Sequence, residues 1–305
     1  MKVDFEFRSG GELMRGDLFL PDGEPKAALV LTGPLTSVKE QASGAHARAL
    51  SERGFAALAF DHRYFGESGG QPRQFENPRA KVEDIRAAAV ALRDSAHTRN
   101  LPMAAVGVCA GAGYMAAAVA EERGFLGFAG IAGFYKTATA ESIAASQTGM
   151  ERGRTAERRW RETGIAETIP AVAPDGGDVG MPLREAWEFY GTPRGAVPNY
   201  VNGYAVQSFA YTIPFDAVGA AREINVPTLV VHSENALAPP LARQFIAGLR
   251  APHRELWLRS VGQIDFYDDP QLIGRAADAV AEFFLETLQS GSPGSARAPS
   301  GAPVP

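Results

Sequence analysis

The sequence predicts an α/β fold: a mostly parallel central sheet of about eight strands, covered by helices on both faces. Short, continuously apolar runs alternate with longer helical stretches along most of the chain. That is the pattern of strands buried on both faces and joined by crossover helices. In addition, one glycine-flanked turn, Gly107-Val-Cys-Ala-Gly111, joins an apolar run directly to a helical stretch.

The elements follow in order. Val3–Arg8 and Leu13–Leu20 read as two opening strands joined through Ser9-Gly10-Gly11. Lys26–Thr32 has the length of a buried strand and stops at Gly33-Pro34. A helix from Gln41 to Arg53 ends at Gly54, a residue suited to the left-handed position after a helix. The cycle repeats with a strand at Phe55–Phe60, a helix at Lys81–Ser95 and a strand at Met103–Val108. A helix at Ala110–Arg123 and a strand at Phe125–Phe134 follow. It resumes with a strand at Thr228–His232, a helix near Leu241–Leu249, a strand at Glu255–Val261 and a final helix at Gln271–Leu288.

Between Lys136 and Pro214 the alternation breaks down. Helical pieces at Ala140–Ala145 and Glu151–Thr163 mix with loops rich in Pro, Gly and Asp. Trp160, Trp187, Phe189, Tyr190, Tyr200, Tyr204, Phe209 and Tyr211 also fall here. An aromatic insertion between strands reads as a lid over the catalytic edge, or alternatively as the interface of a homodimer. The expected organisation is core at 1–136, insertion at 137–215, core again at 216–289, and a Ser/Gly/Pro/Ala-rich tail at 290–305. That tail has too little apolar surface to offset the entropy of ordering.

Of the 305 residues, 45% are hydrophobic and 21% charged, and the net charge is −5. Without a block of Lys and Arg, the electrostatic footprint of a nucleic-acid binder is missing. A single cysteine rules out an intrachain disulfide. Runs such as Phe55–Phe60 are too short to span a bilayer, and the opening residues alternate rather than forming an apolar signal core. A soluble, cytoplasmic protein with no membrane partner is expected. There is no H-E-x-x-H, and the lone cysteine has no neighbouring histidine, so no metal site is expected. The glycines of Gly107–Gly113 come at the fifth strand with the wrong spacing for a dinucleotide fingerprint. No cofactor is expected.

A strand, a Gly-x-Cys-x-Gly turn and a helix form the setting of a nucleophile elbow, in which a strained turn lifts a side chain above the sheet edge. Cys109 is then the candidate nucleophile. The helix that follows points its N-terminus at the sulfur, which favours a thiolate or a developing oxyanion. Thr32-Gly-Pro-Leu-Thr36, after the third strand, is placed to supply an oxyanion-hole amide, making the N–H groups of Leu35 and Ala110 the expected pair. The loop Asp61–Ser68 reads as structural.

Thr36–Gln41, Ala59–Pro78, Gly107–Tyr114, Ile213–Asp216 and Gln263-Ile-Asp-Phe-Tyr267 together resemble the bacterial and fungal α/β-hydrolases related to polyketide transferases and thiohydrolases. The resemblance implies the α/β-hydrolase fold with an inserted lid, and acyl chemistry on chains held as thioesters. It also exposes a departure. Relatives typically read Gly-Ala-Thr-His before Ile/Val-Asp-Leu-Tyr, whereas here Gln263 stands where the catalytic histidine would be. The loop that should carry the acid reads His232-Ser-Glu-Asn-Ala-Leu-Ala-Pro239, with Glu234 its only carboxylate.

A carboxamide does not move protons near neutral pH, so general acid–base help of about 10²–10⁴-fold is lost unless another group supplies it. A cysteine tolerates this better than a serine. Acylation from a thioester survives, while water attack on the acyl-enzyme loses its base. His232 and Glu234 are the candidate substitutes, and Trp187, Tyr190, Tyr204 and Tyr211 the candidate substrate contacts. His46 reads as a surface or packing residue, and His97 and His253 as solvated. Two function classes follow. One is an enzyme of acyl or carbonyl chemistry on a medium-sized apolar small molecule, including a thioester-bound acyl chain. The other is a protein that kept the fold but lost hydrolysis, either a cyclase, lyase or isomerase or a non-catalytic binder.

Overall fold

The structure, a computed structural model, describes residues 1–290. The tail expected from Ser290 lies outside the described residues, except for Ser290 itself, which closes the last helix. The opening strands β1 (Lys2–Ser9) and β2 (Glu12–Phe19) form an antiparallel hairpin. Then follow β3 (Ala28–Thr32), α1 (Ala42–Ser51), β4 (Ala56–Phe60), α2 (Pro78–Asp94), β5 (Met103–Val108), α3 (Ala110–Glu121) and β6 (Phe128–Ile131). Next come α4 (Ala140–Ala145), α5 (Gln147–Thr163), β7 (Thr168–Ile169), α6 (Arg184–Tyr190), β8 (Tyr204–Ala205), α7 (Phe209–Thr212) and α8 (Ala217–Ala220). The core closes with β9 (Thr228–His232), α9 (Pro239–Gly248), β10 (His253–Trp257), α10 (Asp265–Asp268) and α11 (Pro270–Ser290).

Eight strands form one sheet in the order β1-β2-β4-β3-β5-β6-β9-β10. β2 pairs antiparallel with β1 and β4, and every later pairing in the sheet is parallel. Every residue of β3, β4, β5, β6 and β9 is buried, which explains their unbroken apolar runs. β1 alternates exposed and buried residues, as an edge strand with one wet face should. Around the sheet, α1 packs on α11, α2 on α3, and α8 on α9. Among the described residues no helix is long and apolar enough to cross a membrane, and no cluster of His, Cys, Asp and Glu is arranged to hold a metal ion.

Two strands, β6 and β10, end three or four residues sooner than the sequence predicts, and both ends lead to the site. β6 stops at Ile131 because Ala132 takes a positive φ of 43° and Phe134 N–H turns to donate to the Cys109 carbonyl (2.9 Å). β10 spans His253–Trp257 rather than Glu255–Val261. After Leu258 N–H donates to His232 O (2.7 Å), the chain leaves the sheet and forms the loop that carries Gln263.

His46 is fully buried in α1, not on the surface, and its Nε2 lies 2.8 Å from the Phe266 carbonyl. A carbonyl only accepts, so Nε2 carries the proton. This bond ties α1 to α10, the helix beside Gln263. Burial lowers the His46 pKa to about 4, and also lowers that of buried His62. An unfolded His46 takes up its proton near pH 6.5, and the folded one only near 4. It therefore stabilises the fold above pH 6.5, and that stability is lost as pH falls towards 4, by about 3 kcal/mol. Buried Asp61, raised to about 6, works in the opposite sense. The check is therefore a difference: urea unfolding of the His46→Gln variant should show a smaller loss of stability than wild type between pH 7 and pH 4.

Candidate active site

The site is built on the turn between β5 and α3. Cys109 sits there with φ 56° and ψ −124°, a backbone that L-residues avoid and that costs about 1–3 kcal/mol. A Cβ on Gly107 would lie 2.4 Å from Ala112 Cα, and one on Gly111 would lie 2.5 Å from Gly33 O. Only glycine lets the helix approach the strand so closely. Thr32 Oγ1 donates to Gly111 O (2.9 Å), locking the end of β3 to the elbow.

The loop after β3 is fixed from behind. Glu76, fully buried, accepts Thr36 N–H on Oε2 (3.1 Å), while its Oε1 meets Lys81 Nζ (2.6 Å) and accepts from Tyr114 OH (2.8 Å). Thr36 itself has φ 59°, unusual for a β-branched residue. The buried ion pair thus holds a strained loop whose neighbour, Leu35, lines the cavity with Cys109 and Ala110. In the Asp61 loop, the carboxylate accepts Lys39 N–H (2.7 Å) and Glu67 N–H (2.9 Å), a tie that serves the turn.

The cavity over Cys109 has a volume of about 530 Å³. Its walls are largely apolar, including Phe134, Met181, Leu183, Ala236, Leu237 and Ile264. A smaller chamber of about 220 Å³, lined by Tyr114, Tyr204, Phe209 and Phe215 among others, shares Leu35, Ala110 and Phe134 with it. Leu35 and Ala110, the residues whose amides the sequence offers as oxyanion donors, thus line both apolar spaces.

Gln263 lies in this cavity but is tethered. Its Oε1 accepts Leu237 N–H (2.8 Å), and its Nε2 donates to Ala132 O (2.9 Å) and towards Tyr267 OH (3.4 Å). Burial pushes the Cys109 thiol above its ordinary pKa, opposed by hydrogen bonds from Tyr267, the Ala110 amide and Gln263. The expectation that the helix N-terminus enriches the thiolate is therefore corrected: burial of the sulfur outweighs the Ala110 N–H at the start of the helix and the two side-chain hydrogen bonds.

The remaining candidates fall elsewhere. His232 is buried with Nδ1 2.9 Å from Ser233 O and Nε2 3.2 Å from Gly133 O, and it does not line the cavity. Glu234 is exposed, paired with Arg243, and held ionised by that bond. The structure brings neither to Cys109. Of the four aromatic candidates, Tyr190 lines the main cavity and Tyr204 the smaller chamber. Trp187 packs over Gly191, and Tyr211 donates to Glu157 Oε1 (2.6 Å), so both serve packing within the insertion. Sequence reasoning passed over Tyr267, although it stands one helical turn after Gln263 on the same face. It also passed over Glu185, whose Oε2 accepts the N–H groups of Gln263 (2.8 Å) and Ile264 (3.3 Å) and which gave no local signal.

A family model described as serine aminopeptidase, S33, matches residues 23–160, a span that includes the elbow with its cysteine. The uncharacterized protein YcjY of Escherichia coli K12 is 31% identical over 272 residues, covering 86% of this chain and 89% of that one. The chain belongs to the α/β-hydrolase family. Its relatives extend across the whole fold. The uncharacterized protein PA2218 of Pseudomonas aeruginosa is 31% identical over 303 residues, covering 94% of this chain and 80% of PA2218. The crystal structure of that protein superposes with a TM-score of 0.82 at 27% identity, covering 94% of each chain. A shorter stretch of 75 residues is 41% identical to the polyketide transferase claH of Penicillium crustosum, 24% of each chain.

Two outcomes are expected. Iodoacetamide should alkylate Cys109 more slowly at pH 7 than it alkylates free cysteine, with a rate still climbing above pH 9, and Tyr267→Phe should slow it further at pH 7. Glu76→Ala leaves Lys81 buried without its partner and should cost about 3–5 kcal/mol in denaturant unfolding.

Proposed function

We propose that Cys109 is the nucleophile of an acyl-transfer enzyme acting on a medium-sized apolar acyl thioester, polyketide-like in character. The observation that carries this reading is a cysteine on a strained elbow that lines an apolar cavity together with Leu35, Ala110 and a tethered glutamine. The Cys109 sulfur attacks the thioester carbonyl and forms the new C–S bond. The Leu35 and Ala110 N–H groups hold the oxyanion. The old C–S bond breaks, and the thiol proton ends on the departing sulfur, relayed through the Tyr267 hydroxyl, so that acyl-enzyme and free thiol are the products. A raised thiol pKa is compatible with this step, because thiolate nucleophilicity rises with pKa and the proton has a basic leaving group to go to.

The second half-reaction decides the outcome. With no group at residue 263 able to take a proton, water attack is slow and the acyl group waits for a better acceptor. The two chambers that share Leu35 and Ala110 provide for an acyl chain and for the leaving or accepting partner, with the insertion acting as a lid. The similarity to a polyketide transferase supports transfer over hydrolysis. The burial that keeps the thiol protonated favours a second reading, in which the cavity serves a non-hydrolytic cyclase, lyase or binder without a covalent intermediate.

Intact-protein mass spectrometry after mixing with octanoyl N-acetylcysteamine thioester separates the two. The expected result is a persistent acyl adduct at Cys109, absent in Cys109→Ala. Gln263→His should shorten the adduct's lifetime by about tenfold or more. No adduct in wild type, from protein that still binds the acyl chain, would overturn covalent transfer in favour of the second reading.

A further inference from the structure

Among the described residues, the smaller chamber beside the elbow is lined by a single charged side chain, Lys136. The hydroxyls around it are spent on the protein itself. Tyr114 OH donates to Glu76 Oε1 (2.8 Å), Tyr204 OH meets Thr212 Oγ1 (3.1 Å), and Thr212 Oγ1 donates to Ser208 O (3.0 Å). Lys136 is half-buried, and its Nζ donates to the carbonyls of Ile213 (2.6 Å) and Thr137 (3.4 Å). Ile213 and its neighbour Thr212 line the same chamber, so the ammonium is held against the chamber wall. An ammonium has three N–H donors, and one remains unspent.

Elsewhere the fold pairs such charges. Buried Lys39 meets Asp61 and Glu67, and buried Lys81 meets Glu76. Lys136 makes no ion pair among the described residues. Asp216, the carboxylate whose field reaches it, is exposed and accepts Gly219 N–H (3.1 Å). Burial pulls the Lys136 pKa below its ordinary value, because the cation has lost water without gaining a counter-ion. An unpaired ammonium on a small, otherwise apolar chamber is complementary to a carboxylate on a short stem. The larger cavity of about 530 Å³ holds Cys109 and has the room for an acyl chain, which leaves the chamber of about 220 Å³ for the partner that takes the acyl group. We propose that Lys136 binds the carboxylate of the acyl acceptor, a small thiol, alcohol or amine that also carries an acid group. This inference rests on reading the elbow as an acyl-transfer site. In the transfer the acceptor's sulfur, oxygen or nitrogen bonds to the acyl carbonyl carbon, the Cys109 C–S bond breaks, and the acceptor's proton ends on the Cys109 sulfur.

The test follows how fast the octanoyl adduct at Cys109 is cleared by 3-mercaptopropionate and by 3-mercaptopropionamide, each corrected for its rate on the free thioester. Wild type should favour the carboxylate by about tenfold, the worth of a charge-assisted hydrogen bond. Lys136→Met should bring that ratio to about one, and Lys136→Arg, which keeps the charge, should retain most of it. No preference in wild type overturns the proposal whatever the variants do. So does a preference that survives in Lys136→Met, including one accompanied by an equal slowing with both thiols, which would give Lys136 a structural role. Adipoyl and hexanoyl N-acetylcysteamine thioesters form the second comparison. Faster acylation by the adipoyl chain, lost in Lys136→Met, would seat the acyl chain's own end at Lys136 and overturn the acceptor assignment. Calorimetry of 3-(methylthio)propionate and 3-(methylthio)propionamide on wild type and both variants repeats the first comparison without chemistry. A Lys136-dependent preference there, with no adduct ever formed, would sink covalent transfer and leave the carboxylate site standing.

Discussion

The site depends on the positive φ of Cys109. The strand β5 ends and α3 begins within one residue, which is possible only because Gly107 and Gly111 present no Cβ to the Ala112 backbone and the Gly33 carbonyl. That close approach puts the sulfur above the sheet edge, brings the β3 loop against the elbow through Thr32, and sets Leu35 beside Ala110. The backbone strain is local, and the buried parallel strands on either side supply the packing that holds it.

A second constraint is electrostatic. Around the elbow the fold spends its charges on positioning, not on chemistry. The Glu76 and Lys81 pair holds Thr36, and Asp61 ties its own loop to Lys39 and Glu67. None of these faces the Cys109 cavity, where the buried groups are a thiol, two phenols and a carboxamide. In such a space a proton is moved only by passing it between neutral groups, which suits exchange of one thiol for another better than activation of water.

The fold was legible because its signals are local. Buried parallel strands must be apolar on both faces, and helices must show one apolar stripe, so β3, β4, β5 and β9 stood out. The ends of β6 and β10 were misjudged where apolar residues continue past the last ladder bond, since Phe134 and Leu258 are buried or half-buried by loops and not by strand pairing. At the site, the elbow and the absence of a histidine at residue 263 could be read directly. The fates of Glu234 and Trp187 could not: a loop carboxylate that meets Arg243, and an indole that lies over Gly191, look the same in sequence as groups that enter a cavity.

By itself, then, the sequence determined the sheet, the elbow and the chemical identity of what stands at residues 109 and 263, because periodicity, glycine spacing and residue type are properties of neighbours along the chain. Only the tertiary structure decided that burial outweighs the hydrogen bonds at the thiol, that Tyr267 rather than Glu234 or His232 approaches it, and that Lys136 is left with carbonyl partners alone. Each of those outcomes turns on which groups from distant segments share a dry volume, and desolvation and hydrogen-bond satisfaction are set by that three-dimensional company alone.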